Sequence, residues 1–348
     1  MESVAKRDIR KLKQEEIQAF LLEKGEKSFR VHQITEWLWK KSVVDFDQMS
    51  NISQQTRKIL KENFEILPAQ LEKEQISSDR TIKSTFKLHD GNFIEGVLIP
   101  MKDRMTACVS SQVGCSLSCK FCATGYMERV RNLDASEIYD QVVNLRQQAV
   151  QYYDSPLTNI VYMGMGEPLL NYQNVLQSVE LITSPQGLNM SPKRITVSTA
   201  GIAKMIKKLG DDQVKFNLAV SLHAADDKKR NLIMPINETN SLGSLSDALL
   251  YYYQKTQNQI TFEYITLKDF NDTLADAKKL HEFSKKLPCK VNIIEYNPIS
   301  EASFQKSRED SMIHFRQYLE DKGINVKIRK SRGKDIDAAC GQLANKNP

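Results

Sequence analysis

The chain has 348 residues, 41% of them hydrophobic, and 49 basic against 43 acidic side chains give it a formal net charge of +6 at pH 7. Such a length supports a substantial core, whereas so modest an excess of positive charge does not by itself indicate nucleic-acid binding. Apolar runs fall short of membrane-spanning length and the start MESVAKRDIRKLKQEE is too polar for a signal peptide, so the sequence excludes a membrane protein and predicts a cytoplasmic one.

The first predicted domain, residues 1–75, is helical. KQEEIQAFLLEKGEKSFRVHQITEWLWKK places apolar residues at helical spacing, and QQTRKILKENF predicts another short helix. Basic side chains make this accessory domain a candidate RNA-binding surface, namely Arg30, Lys40, Lys41, Arg57 and Lys61. Trp37 and Trp39 are open to two interpretations, stacking on RNA bases or packing in a small helical core.

A short β-hairpin is predicted in residues 76–106, as a connector to the main domain. IKSTFKLHDGNFIEGVLIP alternates apolar and polar residues on both sides of Asp90-Gly91. This pair is typical of a tight hairpin turn.

From residue 107 to 300 a β-rich run, a loop and a helical stretch recur. The β-rich runs are ACVSSQ, NIVYMG, RITVSTA, FNLAVSLHA, ITFEYITL and VNIIEYNP. They predict an α/β fold in which six β/α units form a parallel sheet, curled into a partial barrel. Active sites of such folds lie at the carboxyl ends of the strands. Residues 301–348 are predicted to add a helix, a strand and a loop.

Three cysteines lie close together after the first β-rich run, in GCSLSCKFCATG. They are Cys115, Cys119 and Cys122. Where the cell keeps thiols reduced, this spacing favours soft-metal ligands over disulfides. A structural zinc site takes four closed ligands. Three cysteines on a 4Fe–4S cluster instead leave one iron open to another ligand, which is what chemistry requires.

The pattern C-x-x-x-C-x-aromatic-C, with Phe121 before the last cysteine, resembles the signature of the radical S-adenosylmethionine (SAM) superfamily. The resemblance implies that the open iron binds the amino and carboxylate groups of SAM, and that one-electron reduction cleaves SAM to a 5′-deoxyadenosyl radical. VYMGMGEP is similar to the superfamily's GGEP element. The candidate SAM-binding residues at the strand ends are Gly166, Glu167, Ser198, Ser221, Leu222, His223 and Asn297.

Two further cysteines have unusual surroundings. Cys108 lies on the first β-rich run, and Cys340 lies in RKSRGKDIDAACGQL, between small residues and after a basic run. Small neighbours leave room for a substrate, and basic neighbours favour a thiolate and bind phosphate. Cys289, in LPCKVN, is expected to be a small buried hydrophobic residue.

Five separated motifs narrow the resemblance. They occur in the order CVSSQVGCSLSCKFCATG, MGMGEPLLNY, SLHA, LIMPIN and RGKDIDAACGQL, and they resemble the RlmN family of radical SAM RNA methyltransferases. The similarity runs from about residue 85 to residue 343, and more loosely through the N-terminal domain. The sister Cfr family shares most of these motifs but has Ala in place of Pro168, so this sequence favours RlmN.

The resemblance implies methylation of adenine carbon 2, which is too electron-poor to displace a methyl group from SAM by polar attack. In the implied reaction two SAM molecules are used per turnover. Cys340 takes a methyl group from one, and the radical from the other removes a hydrogen from that methyl group. The methylene radical adds to carbon 2, Glu95 removes the carbon-2 proton, and Cys108 attacks the Cys340 sulfur to release 2-methyladenosine.

The implied substrates are adenosine 2503 of 23S rRNA, reached before or during ribosome assembly, and the adenosine 3′ of the anticodon (position 37) in some tRNAs. An electron donor of flavodoxin type and a monomeric state complete the expectation. Two alternatives stay open at this point. One is a Cfr-type carbon-8 rRNA methyltransferase, and the other is a non-catalytic RNA-binding protein stabilised by a metal.

Overall fold

The computed structural model describes residues 6–345; the outermost positions of the predicted first and last domains, 1–5 and 346–348, lie outside the described residues. Within that range the α-helices are α1 (Gln14–Glu23), α2 (Arg30–Trp39), α3 (Gln54–Asn63), α4 (Ala135–Tyr153), α5 (Tyr172–Thr183), α6 (Ala203–Asp211), α7 (Asp227–Ile233), α8 (Leu242–Thr256), α9 (Leu274–Ser284) and α10 (Glu309–Asp321). No helix in this part of the chain is long and apolar enough to cross a membrane.

The strands of the described chain are β1 (Arg7–Asp8), β2 (Phe64–Glu65), β3 (Gln70–Ile76), β4 (Ile82–Lys87), β5 (Phe93–Met101), β6 (Arg104–Cys108), β7 (Gln112–Val113), β8 (Arg131–Asn132), β9 (Asn159–Tyr162), β10 (Ile195–Thr199), β11 (Asn217–Ser221), β12 (Ile260–Thr266), β13 (Cys289–Glu295) and β14 (Asn325–Arg329).

One ten-stranded sheet organises the described residues, in the order β14-β13-β12-β11-β10-β9-β6-β5-β4-β3. Every pair from β6 to β14 is parallel, and helices cover the crossovers between them. All six β-rich runs are strands of this sheet, so the predicted partial α/β barrel is confirmed. Strand β14 adds a further parallel strand at one edge.

The predicted hairpin is confirmed as β4 and β5, with Gly91 at φ +82° in the turn. It belongs to a larger antiparallel array, because β3 pairs with β4 and β6 pairs with β5. The main sheet therefore continues without interruption through the segment that was expected to be a connector.

The expectation of a helical segment up to residue 75 is wrong at its end, because Phe64–Glu65 and Gln70–Ile76 are strands. Strand β3 reads QLEKEQI, and most of its side chains are exposed or half-buried at the sheet edge. Few apolar residues mark such an edge strand in the sequence. The long helical segment is also split, since α1 ends before Gly25 at φ +76°.

The N-terminal helices have their own apolar core, formed by side chains such as Ile17, Leu21 and Ile34. A buried ion network joins this core to the sheet domain. Arg10 pairs with Asp8 at 3.1 Å and with Asp140 of α4 at 2.8 Å. Both partners lie on opposite sides of the contact between the domains, so the network fixes the N-terminal helices against α4.

The two tryptophans are engaged within the protein. Trp39 contacts both the N-terminal core and the main core, and its ring lies edge-on to Tyr139 at 5.3 Å. Trp37 donates to Asn51 Oδ1 at 2.5 Å and lies beneath the Lys41 ammonium at 3.4 Å. These contacts favour packing over base stacking as the interpretation of both side chains.

The sheet is closed into its partial barrel by a loop contact. The turn between β3 and β4 meets the loop after β14: Asp79 Oδ2 accepts from the Gly333 N–H at 3.0 Å, and Asp335 Oδ2 accepts from the Ser78 N–H at 2.9 Å. This contact links the two edge strands of the open sheet, β3 and β14, through the loops that follow them.

Candidate active site

The three-cysteine loop follows β7 at the carboxyl-terminal edge of the parallel strands. Its fold depends on glycine, because a Cβ at Gly114 would lie 1.9 Å from the Glu128 carbonyl oxygen, and one at Gly125 would lie 2.5 Å from the Cys119 carbonyl oxygen. These close backbone approaches hold the loop in a compact shape.

Cys115, Cys119 and Cys122 are half-buried against one apolar cluster, whose members are Leu117, Phe121, Ala200, Ile233, Met234, Ile265, Leu267, Ile294 and Tyr296. Burial raises the pKa of Cys115 to about 11 and the pKa of Cys119 well above its ordinary value, and the neighbouring thiols add to both shifts. Among residues 6–345, no three His, Cys, Asp or Glu side chains meet as ligands of a single metal ion. Three soft donors that share one apolar pocket fit a thiolate-bound iron–sulfur cluster.

Glu167 lies beside this pocket, after β9. Its carboxylate accepts from the Leu169 N–H at 3.0 Å and from the Ala200 N–H at 2.7 Å. Burial raises the pKa of the Glu167 carboxyl. Gly166 has φ +94°, and a Cβ there would lie 2.5 Å from Gln112 Cβ, so the turn requires glycine. Each carboxylate oxygen retains a lone pair with which it can accept from an ammonium group.

The SLH turn after β11 also contacts the cysteine loop. The His223 ring is edge-on to Phe121 at 4.6 Å, and its Nδ1 accepts from the Ile265 N–H at 3.0 Å. Burial lowers the pKa of His223 to about 3, so the ring is neutral with its proton on Nε2. Leu222 is held by a 3.0 Å hydrogen bond from its N–H to the Glu263 carbonyl oxygen.

The remaining predicted SAM-binding residues lie at neighbouring strand ends. Ser198 is on β10 and is only 8% exposed, and the half-buried Ser221 ends β11. Asn297 follows β13, and its amide donates to the Cys340 carbonyl oxygen at 3.2 Å. Its Oδ1 is buried and has no hydrogen-bond partner within the described chain. A buried acceptor without a partner at this position fits a polar ligand such as SAM.

Cys340 lies directly on the three-cysteine loop. The Ala123 N–H donates to the Gly341 carbonyl oxygen at 2.7 Å, and Thr124 Oγ1 donates to the Leu343 carbonyl oxygen at 2.6 Å. A Cβ at Gly341 would lie 3.2 Å from the Phe121 carbonyl oxygen. The two sequence-distant cysteine motifs therefore meet at one place.

Cys108 and Cys340 are both free thiols, the first buried in β6 and the second exposed. Burial raises the pKa of Cys108 to about 12, and the charge of Cys340 adds to this shift. Surrounding protein atoms raise the pKa of Cys340 to about 11, against the opposing effect of Arg329. Cys340 acts on Cys108 and Arg329 acts on both thiols, which indicates that the two cysteines are neighbours.

Glu95 is buried on β5, against the segment that follows Cys340. Its Oε1 pairs with Lys83 Nζ at 3.5 Å, and its Oε2 accepts from the Ala344 and Asn345 N–H groups at 2.9 and 3.3 Å. The carboxylate is thus anchored to the same C-terminal segment that carries Cys340.

Cys289, the remaining cysteine of the sequence, lies away from the candidate site, at the start of β13. It packs against the main core but is half-buried, less buried than expected, and its thiol donates to the Ser284 carbonyl oxygen at 3.5 Å. Of the basic N-terminal residues, Arg57 donates to the Asp47 carbonyl oxygen at 2.7 Å, and Lys61 pairs with the Asp47 carboxylate at 2.5 Å.

Sequence reasoning missed Lys83 and Arg230, whereas Arg329 belongs to the basic run that was noted before Cys340. Lys83 is the buried partner of Glu95. Arg329 pairs with Glu263 at 3.2 Å and lies near both Cys108 and Cys340. Arg230 is fully buried beside the cysteine loop. Basic side chains are expected on the surface. The available signal for Arg230 was its position two residues before the LIMPIN motif.

Comparison with known proteins identifies the relatives of this chain. Residues 7–66 match the ribosomal RNA large subunit methyltransferase N-terminal domain, and residues 109–280 match the radical SAM superfamily. A protein of Cytophaga hutchinsonii named probable dual-specificity RNA methyltransferase RlmN is 60% identical, over 98% of this chain and 93% of the relative. A dual-specificity RNA methyltransferase RlmN of Nautilia profundicola is 42% identical, over 91% of this chain and 93% of the relative.

A solved structure shows the same fold. The crystal structure of a radical SAM methyltransferase from Sphaerobacter thermophilus superposes with a TM-score of 0.91 at 38% identity, covering 97% of this chain and 99% of the other.

Proposed function

The chain belongs to the RlmN family of radical SAM RNA methyltransferases, and we propose that it methylates carbon 2 of adenosine 2503 in 23S rRNA and of the adenosine 3′ of the anticodon in some tRNAs. The names of its relatives, which include the words dual-specificity, support two RNA substrates. The observation that carries the proposal is the contact between the Cys340 loop and the three-cysteine loop, through the 2.7 Å bond from Ala123 to Gly341.

Cys115, Cys119 and Cys122 would hold a 4Fe–4S cluster, and the strand-end residues around Gly166, Glu167 and Asn297 would bind SAM. When bound, these groups supply a carbon radical that can remove hydrogen from a methyl group. The Glu167 carboxylate would accept from the SAM ammonium group, and the free Asn297 Oδ1 would accept a further donor of the ligand. Ser198, Ser221, Leu222 and His223 would line the rest of the SAM site.

Cys340 would carry the methyl group. Its thiolate forms a bond to the SAM methyl carbon and releases S-adenosylhomocysteine. Removal of one hydrogen atom leaves a methylene radical on the Cys340 sulfur, and this carbon forms the new bond to adenine carbon 2. The exposure of Cys340 and the adjacent Gly341 leave space for an adenine ring that has been unstacked from the RNA.

Glu95 and Cys108 would complete the reaction. Glu95 accepts the carbon-2 proton on its carboxylate, which hydrogen bonds from Ala344 and Asn345 hold in place. The one electron left on the ring by radical addition would return to the oxidised cluster. The Cys108 thiolate then bonds to the Cys340 sulfur, which breaks the bond between that sulfur and the transferred carbon; this carbon takes up one proton, and the RNA is released. The resulting disulfide needs an external reductant before the next turnover.

Nucleoside mass spectrometry of ribosomal RNA tests this function. A deletion strain is complemented with the wild type, with Cys340→Ala or with Cys289→Ala, a matched change at a cysteine remote from the site. The wild type and Cys289→Ala should restore 2-methyladenosine, and Cys340→Ala should not. Retention of 2-methyladenosine in the deletion strain would contradict the proposal, and 8-methyladenosine would indicate the Cfr-type reaction.

Anaerobic reconstitution tests the second alternative, a non-catalytic RNA-binding protein stabilised by a metal. The purified protein should bind iron and sulfide and should release 5′-deoxyadenosine when it is reduced with SAM. Bound zinc without sulfide would instead indicate a metal-stabilised RNA-binding protein. A flavodoxin-type donor, a monomeric state and a cytoplasmic location belong to the same proposal.

A further inference from the structure

Arg230, in α7, is fully buried beside the three-cysteine loop. Its guanidinium donates to four oxygens: Leu222 O at 3.0 Å, Asn237 Oδ1 at 2.6 Å, Ala200 O at 2.6 Å and Ser221 O at 3.2 Å. Three of these partners are backbone carbonyls at the ends of β10 and β11, where SAM is proposed to bind. Arg230 therefore joins the strand ends that surround the site.

All four partners of Arg230 are neutral. Asp227 is a nearby carboxylate that is separated from it by the Asn237 amide, which donates to Asp227 Oδ1 at 2.8 Å. Across residues 6–345, no carboxylate forms an ion pair with this guanidinium. A fully buried cation in neutral surroundings is costly, so a positive charge retained here calls for a negative group nearby.

The cysteine loop lies where such a negative group is needed. The N–H of Lys120, next to Cys119, donates to the Ile233 carbonyl oxygen of α7 at 2.9 Å, and Ala200, which accepts from Arg230, packs in the apolar cluster that holds the three cysteines. A cluster bound by thiolates is anionic, and its reduction adds another negative charge. A fixed positive charge beside it stabilises the reduced form more than the oxidised form, which raises the reduction potential.

We propose that Arg230 is the buried counter-charge of the iron–sulfur cluster and raises its reduction potential. This inference rests on the proposed function, because it requires that the three cysteines hold a cluster. Arg230 also acts as a positioning residue for Glu167, since the Ala200 carbonyl accepts from Arg230 while the Ala200 N–H donates to the Glu167 carboxylate.

The test is a redox titration of the anaerobically reconstituted full chain, followed by electron paramagnetic resonance in the absence of SAM. The most informative variant combines Asp227→Asn with Asn237→Asp. It moves the carboxylate into direct contact with Arg230, with no change in net charge and little change in side-chain volume. Asp227→Asn alone is the control, because an amide oxygen there can still accept from the Leu242 N–H, as Asp227 does at 2.9 Å.

We expect the double variant to have a more negative potential than both the wild type and Asp227→Asn. Arg230→Gln should shift the potential in the same direction, and Arg230→Lys should stay closer to the wild type. Wild-type potentials in the double variant and in Arg230→Gln, at full iron and sulfide content, would overturn the inference.

Iron and sulfide analysis separates the other outcomes. Should Arg230→Gln fail to fold or to retain the cluster, the double variant still decides the question, because it keeps Arg230 and its donors. If Arg230→Lys retained no more iron and sulfide than Arg230→Gln, this result would also count against a role for the positive charge. Absence of iron and sulfide from the wild type would refute the proposed function itself, before Arg230 is considered.

Discussion

The backbone N–H of Ala123 donates a 2.7 Å hydrogen bond to the carbonyl oxygen of Gly341. Each of these residues directly follows a cysteine, Cys122 in the proposed cluster loop and Cys340 in the C-terminal loop. The contact joins the proposed source of the radical to the proposed carrier of the methyl group. Such a contact would allow a thiol near the end of the chain to take part in chemistry at a loop in the first half of the sequence.

Replacement of Cys108 should stop the reaction after the bond to RNA has formed. In Cys108→Ala no sulfur is available to attack Cys340, so the RNA should remain covalently attached to the protein. Gel electrophoresis under denaturing conditions, with and without nuclease treatment, detects the adduct. Cys289→Ala should show no adduct and normal turnover. Free, fully methylated RNA from Cys108→Ala would disagree with the assigned role.

Gly166→Ala should weaken SAM binding at least tenfold. The residue has φ +94°, and the new Cβ would lie 2.5 Å from Gln112 Cβ, so the turn that presents Glu167 must shift at a cost of about 2 kcal/mol. Equilibrium binding of SAM to the reconstituted protein measures the loss.

Gly243→Ala is the matched control for that change. Gly243 lies in α8, and its Cβ would meet only Ser241 Oγ at 3.7 Å. This substitution should leave SAM affinity unchanged and raise the free energy of unfolding by up to about 1 kcal/mol. Equal effects of the two substitutions on SAM affinity would argue against the special role of the Gly166 turn.

The buried imidazole of His223 should make the fold sensitive to mild acid. Burial lowers its pKa to about 3, against about 6.5 in the unfolded chain, so the unfolded state binds the proton first as the pH falls. The free energy of unfolding should therefore fall below about pH 6.5, by up to about 1.4 kcal/mol per pH unit from this group.

Urea unfolding of the cluster-free chain at pH 7 and at pH 5.5 measures this dependence. His223→Gln should flatten it, whereas His314→Gln, on the exposed face of α10, should not. A wild-type dependence in His223→Gln would show that protonation of His223 is not the cause of the acid sensitivity.

Much of this site was accessible from the sequence because its chemistry is local there. The cysteine spacing, the GEP turn and the SLH turn each lie within a few residues, and the alternation of strands and helices indicates that strand ends share one edge. The sequence does not show that Thr124 and Leu343, 219 positions apart, are hydrogen-bonded. Nor does it reveal Arg230 or Lys83, because burial of a basic side chain depends on tertiary partners.

The contact between the β3–β4 turn and the loop after β14 should position Cys340. Asp335 accepts from Ser77 Oγ at 2.5 Å and from the Ser78 N–H at 2.9 Å. Asp335→Ala should free the loop and lower methylation of Cys340 several-fold without loss of iron. Mass spectrometry of the Cys340 peptide measures this, with Asp321→Ala at the end of α10 as control. Unchanged methylation would mean that the hydrogen bonds from Ala344 and Asn345 to Glu95 are sufficient to position Cys340.

The most direct test of transfer through Cys340 is a turnover with SAM whose methyl group carries three deuterium atoms. The account predicts one deuterium in 5′-deoxyadenosine and a 2-methyladenosine whose methyl group retains two, because one leaves while the carbon is bound to the Cys340 sulfur. A product methyl group that keeps all three deuterium atoms, with none in 5′-deoxyadenosine, would contradict it.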